Sequence, residues 1–273
     1  MPTSDRLNPT FSTAKSPLRS PEIDKVPLAG KIEAARQRLI VALDVPSAAA
    51  SHELVNRLEG TCQWFKVGLE LFTAAGPAVI EPLIARGHSV FLDLKFHDIP
   101  NTVAGAVRSA ATLGVRMINV HAAGGPAMLA AAKSALDSVA NPPELLAVTV
   151  LTSIDAAALK AGGIDHSPAH QVELLAKMCL EAGIRGFVCS PQEVAALRSL
   201  AGPSGILVVP GIRPAGANPS GPNIDDQKRI ATPADAIRNG ASFLVVGRPI
   251  TQAPNPAQAA QAILEEMAEA LPS

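Results

Sequence analysis

The sequence predicts a single-domain α/β protein, a (β/α)8 TIM barrel, on three observations. From Arg38 onward, short β-branched runs alternate with Ala-rich segments of helical pattern, the signature of repeated βα units around a parallel sheet. Eight such units fit within about 235 residues, the size and order of a closed barrel. The first βα turn reads Asp44-Val45-Pro46-Ser47 and lacks the GxGxxG fingerprint of the competing doubly wound sheet.

The elements follow in order. Leu39 to Asp44 is the first strand, and Pro46-Ser47 opens a helix to about Leu58. Trp64 to Leu69 is the second, with a helix near Pro77 to Arg86; Ser89 to Leu94 is the third, with a helix from Ile99 to Leu113. Met117 to His121 precedes a helix from Pro126 to Val139, and Leu145 to Leu151 is followed, after Gly162-Gly163, by one from Pro168 to Ala182. Gly186 to Cys189 leads into Pro191 to Leu200, Ile206 to Pro210 into Pro233 to Asn239, and Ser242 to Val246 into Pro256 to about Leu271. Gly87, Gly114, Gly183 and Gly240 each fall just after a helix, where a left-handed cap is favoured. Residues 1 to 30, with five prolines and no period, are expected to be a disordered or loosely attached leader; the barrel domain runs from 31 to 273 and opens with a short helix at Lys31 to Arg38.

Composition narrows the function classes. With 48% hydrophobic and 17% charged residues the chain reads as a soluble globular protein, and a net charge of -1 gives no case for nucleic acid or an anionic membrane as partner. A phosphate ligand must therefore be held by a local site. Cys62, Cys179 and Cys189 are odd in number and widely spaced, which reads as reduced thiols in the cytoplasm and not as a zinc site. The longest apolar runs are strand-length, and residues 1 to 20 contain no secretory apolar core.

In such a barrel the chemistry sits on the loops after the strands. That filter selects Asp44, Lys66, Asp93, Lys95, Asp98, His121, Thr152, Ser153, Arg213, Gly247 and Arg248. Polar residues at strand ends are ordinary, because strands exit to water. Alternating lysines and carboxylates aimed inward are expensive unless mutually paired, and a Lys-Asp-Lys-Asp array offers that pairing. On the third strand Asp93 and Lys95 share one face while Leu92 and Leu94 take the other; Pro100 places Asp98 in the turn into the next helix. Arg213 and Arg248 each carry a planar fork suited to phosphate, and Gly247 admits close backbone approach. Gly211 to about Arg229 is long and rich in Gly, Pro, Asn and Asp, as expected of a lid or a disordered connection. Lys228 and Arg229 read as solvated helix-entry charges, and His97 as structural or surface. For His121, a ribose contact and a structural role both stay open.

The string Asp93-Leu94-Lys95-Phe96-His97-Asp98-Ile99-Pro100-Asn101-Thr102 resembles the active-site signature of the orotidine 5'-phosphate decarboxylase family, and the resemblance extends from about Leu39 to the C-terminal helix. It implies decarboxylation of orotidine 5'-phosphate (OMP) to UMP and CO2 in pyrimidine biosynthesis, without cofactor or metal. It further implies catalysis by Lys95 with Asp93, Lys66 and Asp98, Lys95 being the proton donor to C6. Asp44 matches the ribose ligand, Thr152 and Ser153 the pyrimidine-contacting segment, and Gln227 the phosphate-contacting glutamine. Asp98 and Thr102 match residues contributed to the neighbouring subunit's site, so a homodimer with shared active sites is expected.

Two other readings stand beside it. A sugar-phosphate enzyme of the same barrel superfamily carries Asp-x-Lys-x-x-Asp but uses magnesium, which wants an added carboxylate near the second strand. Lys66 opposes that and Glu70 keeps it open. A noncatalytic phosphosugar-binding barrel would retain affinity without turnover.

Overall fold

The computed structural model describes residues 27–215 and 229–272; the expectations for residues 1–26, for Gln227 and Lys228, and for most of the Ala215 to Ile224 loop lie outside them. The strands are β1 (Leu39–Ala42), β2 (Trp64–Gly68), β3 (Ser89–Phe96), β4 (Met117–His121), β5 (Glu144–Val148), β6 (Gly186–Val188), β7 (Ile206–Val209) and β8 (Phe243–Val246). Each pairs in parallel with the next, and β8 closes on β1 through Leu39↔Leu244 and Val41↔Val246. The fold is the closed eight-stranded barrel that the alternation predicts.

Helices cover the outside. Before β1 lies α1 (Leu28–Arg36), and after it α2 (Ala48–Arg57); β2 is followed by α3 (Leu69–Ala75) and α4 (Ile80–Ala85), β3 by α5 (Pro100–Ala111), and β4 by α6 (Gly125–Ser134). After β5 come α7 (Ala156–Ala161) and α8 (Pro168–Glu181), after β6 α9 (Val194–Ala201), after β7 α10 (Pro233–Arg238), and after β8 α11 (Arg248–Thr251) and α12 (Pro256–Ala270). Their starts are written locally. The side chains of Ser47, Ser167, Thr232 and Asn255 accept from backbone N–H groups three residues on, and Pro168, Pro233 and Pro256 occupy first-turn positions that need no donor. The four glycines expected after helices have φ between 74° and 103°.

Two apolar layers hold the barrel. The larger lies between strands and helices and includes Leu39, Val41, Phe65, Leu92, Ile118 and Phe187. The smaller fills the barrel's interior with Ile40, Ala42, Trp64, Phe91, Met117, Leu146, Val208 and Val245, and Trp64 meets Phe243 edge to face at 5.1 Å. Along each strand the inward set has period two. Two residues beyond Trp64, Phe91 and Met117 stand Lys66, Asp93 and Asn119, so the interior changes from apolar to polar in one step towards the strands' carboxyl ends.

Several elements differ from expectation. The second strand ends at Gly68, and α3 begins at once, where only a helix near Pro77 was expected. β3 runs two residues further, to Phe96, through an irregularity described below. α1 starts at Leu28, three residues inside the expected leader, and Lys31 Nζ donates to the Leu271 carbonyl at 3.0 Å, tying this helix to the end of α12. Among the described residues no helix is long and apolar enough to cross a membrane.

Candidate active site

A cavity of about 590 Å³ opens at the carboxyl ends of the strands. Asp44, Lys66, Asp93, Lys95, Thr152, Ser153, Arg213, Gly247 and Arg248 all line it, so nine of the expected site residues meet in one place. Asp98 and Thr102 do not line it. Both are exposed at the start of α5, and the Asp98 carboxylate accepts from the Ile99 N–H at 2.6 Å.

The floor is a chain of ion pairs. Lys66 Nζ lies 2.9 Å from Asp44 Oδ1 and 3.3 Å from Asp93 Oδ2, and Lys95 Nζ lies 2.7 Å from Asp93 Oδ1. Burial on its own would pull the Lys66 ammonium down, but Asp93 and then Asp44 outweigh it and hold the pKa above the ordinary lysine value. Burial likewise pushes the Asp93 carboxyl up, and the adjacent Lys66 and Lys95, with hydrogen bonds from Lys95 and Asn119, hold it below the usual range. Both groups are therefore charged in the neutral range. Packed this closely, each charge supplies the other's lost hydration.

Backbone geometry contributes as much as charge. Lys95 has φ of 50°, and it is the one non-glycine residue with positive φ among those described. An unbranched side chain in this region costs of order 1–3 kcal/mol, a cost that persists only where the surroundings enforce the conformation. They do so through β4: Leu92 pairs with Ile118 and Phe96 with Val120, leaving Asp93, Leu94 and Lys95 opposite Asn119 alone. β3 thus bulges where Asp93 and Lys95 face the cavity.

Three contributors go beyond the residues that the strand-end pattern selects. Asn119 is fully buried and bonds both to Asp93 and to the Lys95 backbone. Its signal was an asparagine, a poor strand former, in the inward register of Met117 and His121. Gly68 is the second: a Cβ there would lie 2.8 Å from Lys66 Nζ and 3.2 Å from Asp44 Oδ1, so the ion pair occupies the space a side chain would need. Arg229 is the third, and here the expectation of a solvated charge is overturned. It is 7% exposed, paired with buried Glu193, and donates to the carbonyls of Val150 and Leu151 at 3.2 and 2.9 Å. Glu193 in turn accepts from the Ser190 backbone and hydroxyl. A guanidinium reaching back to the end of β5 cannot be read from its neighbours in sequence.

His121 does not line the cavity; its ring lies 5.4 Å from that of exposed His97. Burial, then His97 and Lys95, hold the His121 pKa below the ordinary histidine value. Glu70 stands in the first turn of α3 at the cavity's rim.

Fold and site together define a (β/α)8 barrel whose mouth holds a chain of lysines and carboxylates, with arginines after β7 and β8. Residues 37–263 match the family model of orotidine 5'-phosphate decarboxylase / HUMPS. The chain is 52% identical over 239 residues to an orotidine 5'-phosphate decarboxylase of Moorella thermoacetica, covering 85% of this chain and 93% of that one. A relative of the same description from Nitrosococcus oceani is 50% identical over 232 residues, 85% and 98% of the two chains. The crystal structure of orotidine 5'-phosphate decarboxylase from Lactobacillus acidophilus superposes with a TM-score of 0.72 at 39% identity, covering 84% of this chain and 98% of that one. The chain belongs to the orotidine 5'-phosphate decarboxylase family, and it is an enzyme of the carboxy-lyase class.

Proposed function

We propose that this protein converts OMP to UMP and CO2 with Lys95 as the proton donor to C6. The Lys66–Asp93–Lys95 array on the cavity floor carries this reading. As the bond from C6 to the carboxylate breaks, CO2 departs and the electron pair stays on C6. The Lys95 ammonium stabilises that charge and then donates its proton to C6, and the neutral amine regains a proton from solvent. Asp93 keeps the ammonium in place throughout.

The other contacts have assigned parts in the same reading. Asp44 and Lys66 take the ribose hydroxyls, Thr152 and Ser153 the pyrimidine, and Arg213, Gln227, the Gly247 backbone and Arg248 the phosphate. The arginines at the ends of β7 and β8 fit that part because phosphate sites recur in this region of such barrels. Asp98 and Thr102 act in the site of a second copy, which accords with their exposed positions outside their own cavity. The protein works as a cytoplasmic homodimer without a cofactor; Cys62, Cys179 and Cys189 are all free and buried, as suits a reducing compartment.

The deciding experiment follows pyrimidine absorbance when protein meets OMP, with EDTA present and Lys95→Ala alongside. Metal-independent loss of absorbance that vanishes in the variant is the expected result. No loss from folded wild-type protein sinks the reading and favours the magnesium-dependent sugar-phosphate alternative, which Glu70 at the rim keeps chemically open.

A further inference from the structure

We propose that Asn119 is a positioning residue that holds Lys95 in its working conformation from two sides at once. The inference deepens the function just proposed and rests on Lys95 being the working group. Where β3 places three residues against one, the ordinary ladder cannot continue, and the N–H of Lys95 loses its strand partner. The Asn119 carboxamide oxygen accepts that N–H at 2.8 Å. Its amide nitrogen donates to Asp93 Oδ1 at 2.7 Å, the same oxygen that receives Lys95 Nζ at 2.7 Å. Three hydrogen bonds therefore close a ring through both ends of Lys95, its backbone and its ammonium.

Chemistry leaves little freedom at this position. The ring needs an acceptor for a backbone N–H and a donor for a carboxylate, on one short side chain, and only one orientation of the amide meets both. Aspartate has the acceptor but sets a second carboxylate against Asp93; alanine has neither. Asn119 is fully buried, so water does not stand ready to replace either bond. Asn119 does not itself line the cavity but bonds to Asp93 and Lys95, which do, so its action on substrate passes through those two residues.

The test uses the full chain. Wild type and Lys95→Ala are first assayed with OMP, so that failure of the decarboxylase reading appears as absent wild-type turnover. Asn119→Ala and the near-isosteric Asn119→Asp then read the proposal. In Asn119→Ala, kcat is expected to fall about a hundredfold, the scale of misplacing a reacting group by an ångström, while affinity for UMP stays within a few-fold of wild type. Hydrogen exchange at the Lys95 amide, followed by NMR, should lose its protection in Asn119→Ala and keep it in Asn119→Asp, whose kcat still falls because Asp93 has lost a donor. Unchanged kcat in the folded protein, or equal losses in kcat and UMP affinity, overturns the proposal. If Asn119→Ala does not fold, Asn119→Asp decides it by the same two criteria. The exchange measurement does not involve turnover, so a protected Lys95 amide in Asn119→Ala also overturns the proposal whatever the substrate proves to be.

Discussion

At the scale of single residues, the site is built from side chains whose neighbours leave them one arrangement. Gly68 shows how tight the space is. A methyl group there must displace the Lys66 ammonium, which is 8% exposed and held by two carboxylates, and the lysine cannot swing away without abandoning one of them. Gly68→Ala is expected to lower kcat/KM by about ten- to a hundredfold and to lower the unfolding midpoint as well, as checked by steady-state kinetics and thermal unfolding. Titration separates the site from the rest. The lowered Asp93 pKa contributes stability that is present above the ordinary carboxylate value, about 3.9, and is lost as pH falls through the folded value. The raised Lys66 pKa contributes below about 10.4 and is lost as pH rises through its folded value. Neither changes near neutrality.

His88 does. It is 8% exposed, packs edge to face on Phe65 at 4.9 Å, and has no hydrogen-bond partner at either ring nitrogen. Burial comes first in lowering its pKa, Glu59 opposes, and Arg86 adds to the lowering. The neutral ring is the folded form, so its stability is present above about 6.5 and is lost as pH falls through the depressed folded value. His88→Phe keeps a ring against Phe65 and removes the titration. Its Tm should fall less than that of wild type between pH 7 and 5, and parallel curves for the two proteins would place the acid sensitivity elsewhere.

At the scale of elements, two devices place the loops above the sheet. The β3 bulge turns the Lys95 side chain into the cavity without an insertion loop, using Asn119 of β4 as its only counterpart. The second device is the buried pair of Glu193 and Arg229. Arg229 stands just after the segment that follows β7, and its guanidinium binds the Val150 and Leu151 carbonyls in the loop after β5, beside Thr152 and Ser153. Glu193, at the start of α9, supplies the charge that makes burying the arginine tolerable. Removing one partner of a buried pair strands the other. Glu193→Gln is expected to cost about 3–5 kcal/mol in urea unfolding, and a loss near zero would mean that Arg229 finds water instead.

At the scale of the whole molecule, the closed barrel delivers residues from seven of its eight strand ends to one cavity while leaving Asp98 and Thr102 outside it. Beside Asp98, Ile99 is 67% exposed, a large apolar side chain at the start of α5. If sites are shared, mixing Lys95→Ala with Asp98→Ala should restore roughly a quarter of wild-type sites after statistical exchange of a twofold dimer. Activity that stays absent after verified exchange counts against sharing.

What was legible from the chain alone is what local pattern encodes. Strand and helix periods, proline starts and glycine stops define eight βα units, and the rule that barrel chemistry sits after the strands brings Asp44, Lys66, Asp93, Lys95 and Arg248 together. The missed pieces depend on neighbours distant in sequence. Arg229 looked solvated because its partners, Glu193 and the carbonyls of Val150 and Leu151, come from other loops. α3 is not visible in the sequence because an apolar run continues through Leu69 and conceals the strand end at Gly68. The left-handed turn at Lys95 and the role of Asn119 are mutual, each existing because the other strand is there to enforce it. Sequence determined the barrel and the chemical kinds of group at its mouth, since both follow from side-chain pattern. Tertiary structure alone decided which atoms meet, because register between strands and the burial of charge exist only once the sheet has closed.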